Sequence, residues 1–254
     1  MKYLSIFILI FFYPIELISR EIGQTEITAE DGVEVFQDEK YYLLKKNVRI
    51  ESDNFILLGD LIKIYFEKDL YDIKIIDAKG NAKLDSNLHN IIAIGEELYF
   101  IVDEEKIMIS GFNSQLITDN IKMISDQNID VNNLNGDFNL FGEKSSLETD
   151  NIIVKGKKIN GSFLPNSNIS EILVLSVKDE NIAYVQSDNT DMFANEINYN
   201  KDTSTINLIG NVKIIEDGEI VTGDYGTINT NNNSYKIKSK KSNRVKVLIS
   251  ENDE

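Results

Sequence analysis

Leu208-Ile209-Gly210-Asn211-Val212-Lys213-Ile214 is the stretch whose reading decides the fold. With side chains alternating between faces, it puts Leu208, Val212 and Ile214 on one face of a strand and Lys213 in water. The same pattern occurs in Leu44-Lys45-Lys46-Asn47-Val48-Arg49-Ile50 and in Ala78-Lys79-Gly80-Asn81-Ala82-Lys83-Leu84, where Arg49 and Lys83 take the solvent side. Each copy is followed by glycine and an acid, at Gly59-Asp60, Gly95-Glu96 and Gly223-Asp224. The separations from the Asn are 13, 15 and 13 residues, one strand-turn-strand unit with a variable turn. A further strand starts at once after Asp60, with Ile62, Ile64 and Phe66 alternating against Lys63, Tyr65 and Glu67.

A short recurring unit of this kind buries its apolar face only against its neighbours, which predicts a stacked all-β architecture and excludes helical repeats. Composition agrees. There are two prolines, Pro14 and Pro165, few alanines and an abundance of the β-formers Ile, Val, Tyr and Phe. Turn chemistry clusters at Lys201-Asp202-Thr203 and Asn231-Asn232-Asn233, where Asp and Asn tolerate left-handed backbone. A formal charge of −16 repels nucleic-acid phosphates and argues against that partner. The absence of cysteine excludes disulfides, thiolate metal sites, cysteine catalysis and an acylated anchor.

The chain divides into four parts. Residues 1–19 read as a signal peptide: Lys2 precedes an apolar run from Tyr3 to Ile15, with cleavage expected after Ser19. Leu17 stands where a small residue is expected, so an uncleaved anchor is the alternative. Residues 22–111 and 185–250 carry the clear repeats. Residues 112–184 are richer in Asn, Ser and Asp and read as degenerate β repeats or as an insertion. Strands are expected there at Ile117 to Ile124 and Asn151 to Gly156, with turn signals at Leu164-Pro165-Asn166-Ser167-Asn168.

Further runs carry a resemblance. Ile27-Thr28-Ala29-Glu30-Asp31-Gly32-Val33-Glu34-Val35, followed by Asn47-Val48 and Gly59-Asp60, resembles the opening of an OstA-like domain. So does Phe193-Ala194-Asn195-Glu196-Ile197-Asn198-Tyr199, running through Gly210-Asn211-Val212 to Gly223-Asp224. Val221-Thr222-Gly223-Asp224-Tyr225-Gly226-Thr227-Ile228-Asn229 and Arg244-Val245-Lys246-Val247 are similar to the C-terminal part of that family, the LptA lipopolysaccharide transport family. The resemblance covers residues 26–111 and 185–248, and it lies in the ordered series of motifs. It implies a V-shaped, taco-like β-jellyroll of stacked antiparallel repeats with an open apolar interior. It also implies a periplasmic protein that carries lipopolysaccharide between inner and outer membranes. Its implied partners are inner-membrane LptC-like and outer-membrane LptD-like proteins and further copies of the chain, joined by strand addition. The long middle section departs from the family pattern and leaves the number of stacked turns open.

Under this reading Val48, Ile50, Ile62, Ile64, Ile76, Leu84, Leu208, Val212 and Ile214 contact lipid A acyl chains, the alternative being that they pack as a closed core. The joints are expected near Ile27 to Val35 and Tyr235 to Ile249. Lys236, Lys238, Lys240, Lys241, Arg244 and Lys246 make the tail basic, either guarding an edge strand or meeting lipid phosphates. No catalytic residue, metal ligand or cofactor is expected. The single histidine, His89, reads as a solvated loop residue, and Asp188, Asp191 and Asp202 as turn residues. Two rivals stand open: a membrane-anchored LptC-like component of the same system, and a β-solenoid protein acting on polysaccharide.

Overall fold

The structure is a computed structural model that describes residues 20–68, 72–88, 90–165, 171–232, 234–240 and 243–249. The expectations for residues 1–19, for His89, for Asn166-Ser167-Asn168, for Asn233 and for Lys241 lie outside the described residues. The strands in chain order are β1 (Glu26–Thr28), β2 (Val33–Phe36), β3 (Tyr41–Glu51), β4 (Phe55–Phe66), β5 (Ile73–Ser86), β6 (Ile91–Ile101) and β7 (Lys106–Ser110). Next come β8 (Ser114–Ile117), β9 (Ile121–Ser125), β10 (Asn128–Asn132), β11 (Asp137–Phe141), β12 (Ser146–Thr149), β13 (Ile152–Lys155) and β14 (Lys158–Phe163). The series closes with β15 (Ile172–Ser187), β16 (Thr190–Asn200), β17 (Thr205–Glu216), β18 (Glu219–Asn229), β19 (Ser234–Lys238) and β20 (Lys246–Leu248). All pairings among the described residues are antiparallel, and the fold is all-β.

Long strands and pairs of short ones turn out to be the same object. In β3 the register shifts between Lys45 and Val48, so Tyr41–Lys45 pairs within one limb of the sheet and Val48–Glu51 within the other. Where a strand is broken outright, two short strands replace it: β7 pairs with one half of β6 and β8 with the other. Counted this way, the described residues form fourteen rungs, each crossing a single crease. The first rung is β1 with β2 and the last is β19 with β20. The expected strand from Ile117 to Ile124 is corrected to two: a turn at Thr118–Asn120 sends the chain back, and Thr118 Oγ1 accepts the Ile121 N–H at 3.1 Å. Residues 112–184 supply β8 to β14 and most of β15, in register with the rungs on either side.

The quoted Asn motif is the crease. Lys46 and Asn47, Gly80 and Asn81, and Gly210 and Asn211 all have positive φ, two consecutive left-handed residues that turn a strand sharply. Val48, Ala82 and Val212 thus leave the turn pointing inward from the second limb. Between residues 112 and 184 a different device makes the bend. Gly111-Phe112-Asn113-Ser114 and Gly142-Glu143-Lys144-Ser145 each fold back so that the serine N–H and hydroxyl both donate to the glycine carbonyl, with Oγ···O 2.9 Å in both. Ser114, Ser125 and Ser145 are buried there with their hydroxyls bonded.

An acidic or amide side chain from one rung clamps the crease of its neighbour. Asn47 Nδ2 donates to Glu30 (2.6 Å), Asn81 Nδ2 to Asp60 (3.0 Å) and Asn211 Nδ2 to the Asn195 carbonyl oxygen (2.9 Å). Elsewhere the donor is a backbone N–H: Phe112 to Glu96 (3.3 Å), Lys144 to Asp126 (3.2 Å), Lys157 to Asp179 (3.1 Å) and Lys240 to Asp224 (2.6 Å). These bonds favour the charged form, holding Glu30 below the usual carboxylate range through Asn47 and Asp224 through the Lys240 N–H. The acid of each Gly-acid pair is therefore a crease clamp.

The core is a wedge. Small side chains line the crease on one limb, including Ala82, Ala183, Ala194, Gly59, Gly95 and Gly223, because the limbs converge there. A Cβ on Gly95 would lie 2.7 Å from Ile109 Cγ2, and one on Gly223 2.4 Å from Ile237 Cγ2, so the opposite limb already fills these positions. Two aliphatic ladders follow outward. The first runs Leu44, Ile62, Ala78, Leu98, Ile109, Ile129, Leu140, Ile159, Val177, Ile197, Leu208. The facing ladder runs Ile50, Leu57, Leu84, Ala93, Leu116, Met123, Leu147, Val154, Val185, Met192, Ile214, Val221. Small residues thus concentrate at the crease and larger aliphatic ones predominate beyond it, as a V requires.

Candidate functional site

The interior and its mouth are the site the sequence pointed to. Val48, Ile50, Ile62, Ile64, Leu208, Val212 and Ile214 all face inward and are 0–4% exposed. They pack against one another and against the opposite limb as a continuous core. Ile76 and Leu84 also face inward but are only partly buried, Ile76 in the row nearer the mouth and Leu84 in the inner ladder between Leu57 and Ala93. The nine residues therefore belong to one apolar surface: Ile64 and Ile76 stand in the outer cross-strand row, and the other seven lie deeper.

Of the lip, only Ile64 and Ile76 were singled out from sequence. On one limb a cross-strand row runs Tyr42, Ile64, Ile76, Phe100, Ile107, Val131, Phe138, Gly161, Leu175, Tyr199, Ile206, Ile228. Opposite lie Phe55, Ile91, Ile121 and Ile152. Tyr42, Ile76, Phe100, Val131, Tyr199, Phe55, Ile91, Ile121 and Ile152 are all partly buried and packed on the core, leaving apolar surface along the mouth. Aromatic contacts stiffen this row: Tyr42 with Phe66 at 5.0 Å and Phe138 with Phe163 at 4.5 Å between ring centroids. The signal was available as aromatics recurring on the inward parity, but parity is uninterpretable until the crease residues are recognised as left-handed.

Toward the C-terminal end the mouth opens into a cleft of about 230 Å³ with Met192, Ile206, Ile228 and Tyr235 among its walls. Its rim is polar, with Asp188, Asp217 and Glu216, the last accepting from Thr190 Oγ1 at 3.2 Å. Asp188 and Asp202 lie in turns as expected. Asp191 is corrected to a strand residue of β16 that accepts the Tyr184 hydroxyl at 2.8 Å. Burial and this carboxylate push the Tyr184 phenol up to about 12. Among the described residues no cluster of acids or imidazoles could hold a metal ion, and no helix is long and apolar enough to cross a membrane.

The two ends differ in charge. The first rung carries Glu26, Glu30, Asp31 and Glu34, with Val33 and Val35 about half exposed. The last carries Lys236, Lys238, Lys240, Arg244 and Lys246, with Val247, Leu248 and Ile249 exposed. Both expected joints are edge strands broken by a crease.

No family model matches the chain, and no curated protein matches it. Among solved structures it is similar to LptH from Pseudomonas aeruginosa, the LptA-homologous periplasmic component of a lipopolysaccharide transport device. The TM-score is 0.42 at 14% identity, covering 52% of this chain and 95% of LptH.

Proposed function

We propose that the chain is a non-enzymatic periplasmic carrier of lipopolysaccharide, holding acyl chains along the mouth of the V and passing them between membranes. Support comes from the partly buried apolar residues that recur along the mouth, Tyr42, Ile76, Phe100, Val131 and Tyr199 on one limb and Phe55, Ile91, Ile121 and Ile152 on the other, above a core whose ladders continue from rung to rung. Each buried methylene contributes about 0.8 kcal/mol, so a few acyl chains lying on this row supply substantial affinity while the sugars stay in water. Ile76 and Leu84 make first contact. Val48, Ile50, Ile62, Ile64, Leu208, Val212 and Ile214 are reached only where the limbs part, since they close on one another in this structure. Copies join end to end by strand addition, acidic first rung against basic last rung, and the terminal copies meet LptC-like and LptD-like proteins.

Photo-crosslinking at Ile76 and at its neighbour Asp77 tests the reading, because the two residues face opposite sides of one strand. Lipopolysaccharide trapped at Ile76 and not at Asp77 is expected. Equal trapping at both positions, or none at Ile76, overturns it.

A further inference from the structure

The outer face of one limb carries a second feature, independent of the lipid reading. Its central cross-strand row begins Glu34, Leu43, Lys63, Asp77, Tyr99, Met108, Asp130, with charges at intervals. From β11 onward it becomes Asn139, Asn160, Ser176, Asn198, Asn207, Thr227, with no charge in six successive rungs. In a protein of net charge −16 this is a neutral, amide-dense strip. It is indented by a dish of about 270 Å³ walled by Asn160, Val174, Ser176, Asn198, Asn200 and Asn207.

We propose that this dish binds a neutral oligosaccharide. The Asn160 amide and Ser176 hydroxyl make no hydrogen bond with a described residue. Asn198 spends only its Nδ2, on Glu196 at 2.8 Å, and Asn207 only its Oδ1, on Thr227 at 3.2 Å. Donors and acceptors therefore stand side by side, matching sugar hydroxyls, which both give and accept. Val174, 39% exposed, offers an apolar patch for the C–H face of a pyranose. Charged ligands are poorly served. The bordering charges form closed pairs, Lys178 with Glu196 at 3.2 Å and Lys201 with Glu171 at 2.5 Å, leaving no unpaired cation or carboxylate on the wall. A peptide cannot add as a strand either, since β14 to β18 are hydrogen-bonded on both sides in this limb. The rung spacing of about 4.8 Å repeats the amides at a regular interval, which suits a polymer of like units.

The test is titration of the full chain with free maltoheptaose, mannohexaose and chitohexaose, none of which carries an acyl chain. It is followed by NMR of the Asn side-chain amides and by calorimetry. Saturable binding of at least one sugar, shifting Asn160, Asn198 and Asn207, is expected. The double variant Asn198→Asp, Asn207→Asp is expected to lose at least about tenfold in affinity, because it replaces amide donors with carboxylates at solvent-facing positions. Circular dichroism confirms that the variant is folded. No saturation by any of the three up to about 10 mM, a limit near −3 kcal/mol, overturns the proposal. So does binding that survives unchanged in the folded variant. Trapping of lipopolysaccharide at Ile76 does not depend on either result.

Discussion

Gly95 shows how one residue can carry two constraints. Its backbone pairs with Ala82 at the crease, and the space its side chain would occupy is already held by Ile109 Cγ2, 2.7 Å from an ideal Cβ. The next residue, Glu96, reaches across to the Phe112 N–H. Gly95→Ala is therefore expected to force the limbs apart locally and to cost about 1–3 kcal/mol in urea unfolding. Glu96→Gln keeps an acceptor and is expected to cost less. A Gly95→Ala protein as stable as wild type would mean that the crease is loosely packed. The Gly-acid signature was visible in the sequence at Gly59, Gly95 and Gly223. Its meaning was not, because neither the filled volume nor the clamp is a property of the residues alone.

At the level of single strands, burial separates neighbours that composition cannot. In β12, Leu147 is fully buried in the ladder between Met123 and Val154, while Glu148 faces solvent. Leu147→Ala is expected to destabilise by about 2–5 kcal/mol, through lost transfer energy and a cavity in a narrow core. Glu148→Ala is expected to stay within about 0.5 kcal/mol. Thermal or chemical unfolding of the two variants measures both, and equal effects would contradict the assigned faces. These residues fall in the section whose repeats were hard to read. Ser114, Ser125 and Ser145, together with Gly111 and Gly142, do there what Gly-Asn does elsewhere, so the Asn signature lapses although the rung continues. The Gly-x-x-Ser spacing at 111–114 and 142–145 was a legible signal, once serine is understood as a crease residue.

At the scale of the molecule, the fourteen rungs among the described residues, at about 4.8 Å each, give a trough about 60 Å long, open at both ends to further strands. An acidic first rung and a basic last rung make a head-to-tail contact favourable and a head-to-head one repulsive. Such a contact is heterologous, and extends into a filament where its rotation does not close a ring. Concentration-dependent association is expected by analytical ultracentrifugation, weakening several-fold as salt rises from about 50 mM to about 500 mM, where the screening length falls well below 10 Å. Val247→Pro removes an N–H from the exposed edge strand β20 and is expected to shift the protein toward monomer. Salt-insensitive association, or unchanged association of Val247→Pro, would place the joint elsewhere.

Alternation of apolar and polar residues determined the strands, and the repeated Asn and Gly-acid motifs determined that they stack, because both are local consequences of backbone geometry and side-chain parity. Where each strand bends, and therefore which inward residues are sealed at the floor and which remain accessible at the lip, was decided by the tertiary structure. Depth in a wedge depends on how closely two limbs approach and on what covers each position: Ile62 is sealed beside the crease, while Ile76, one row further out, is only partly buried although its partner Ile64 is covered.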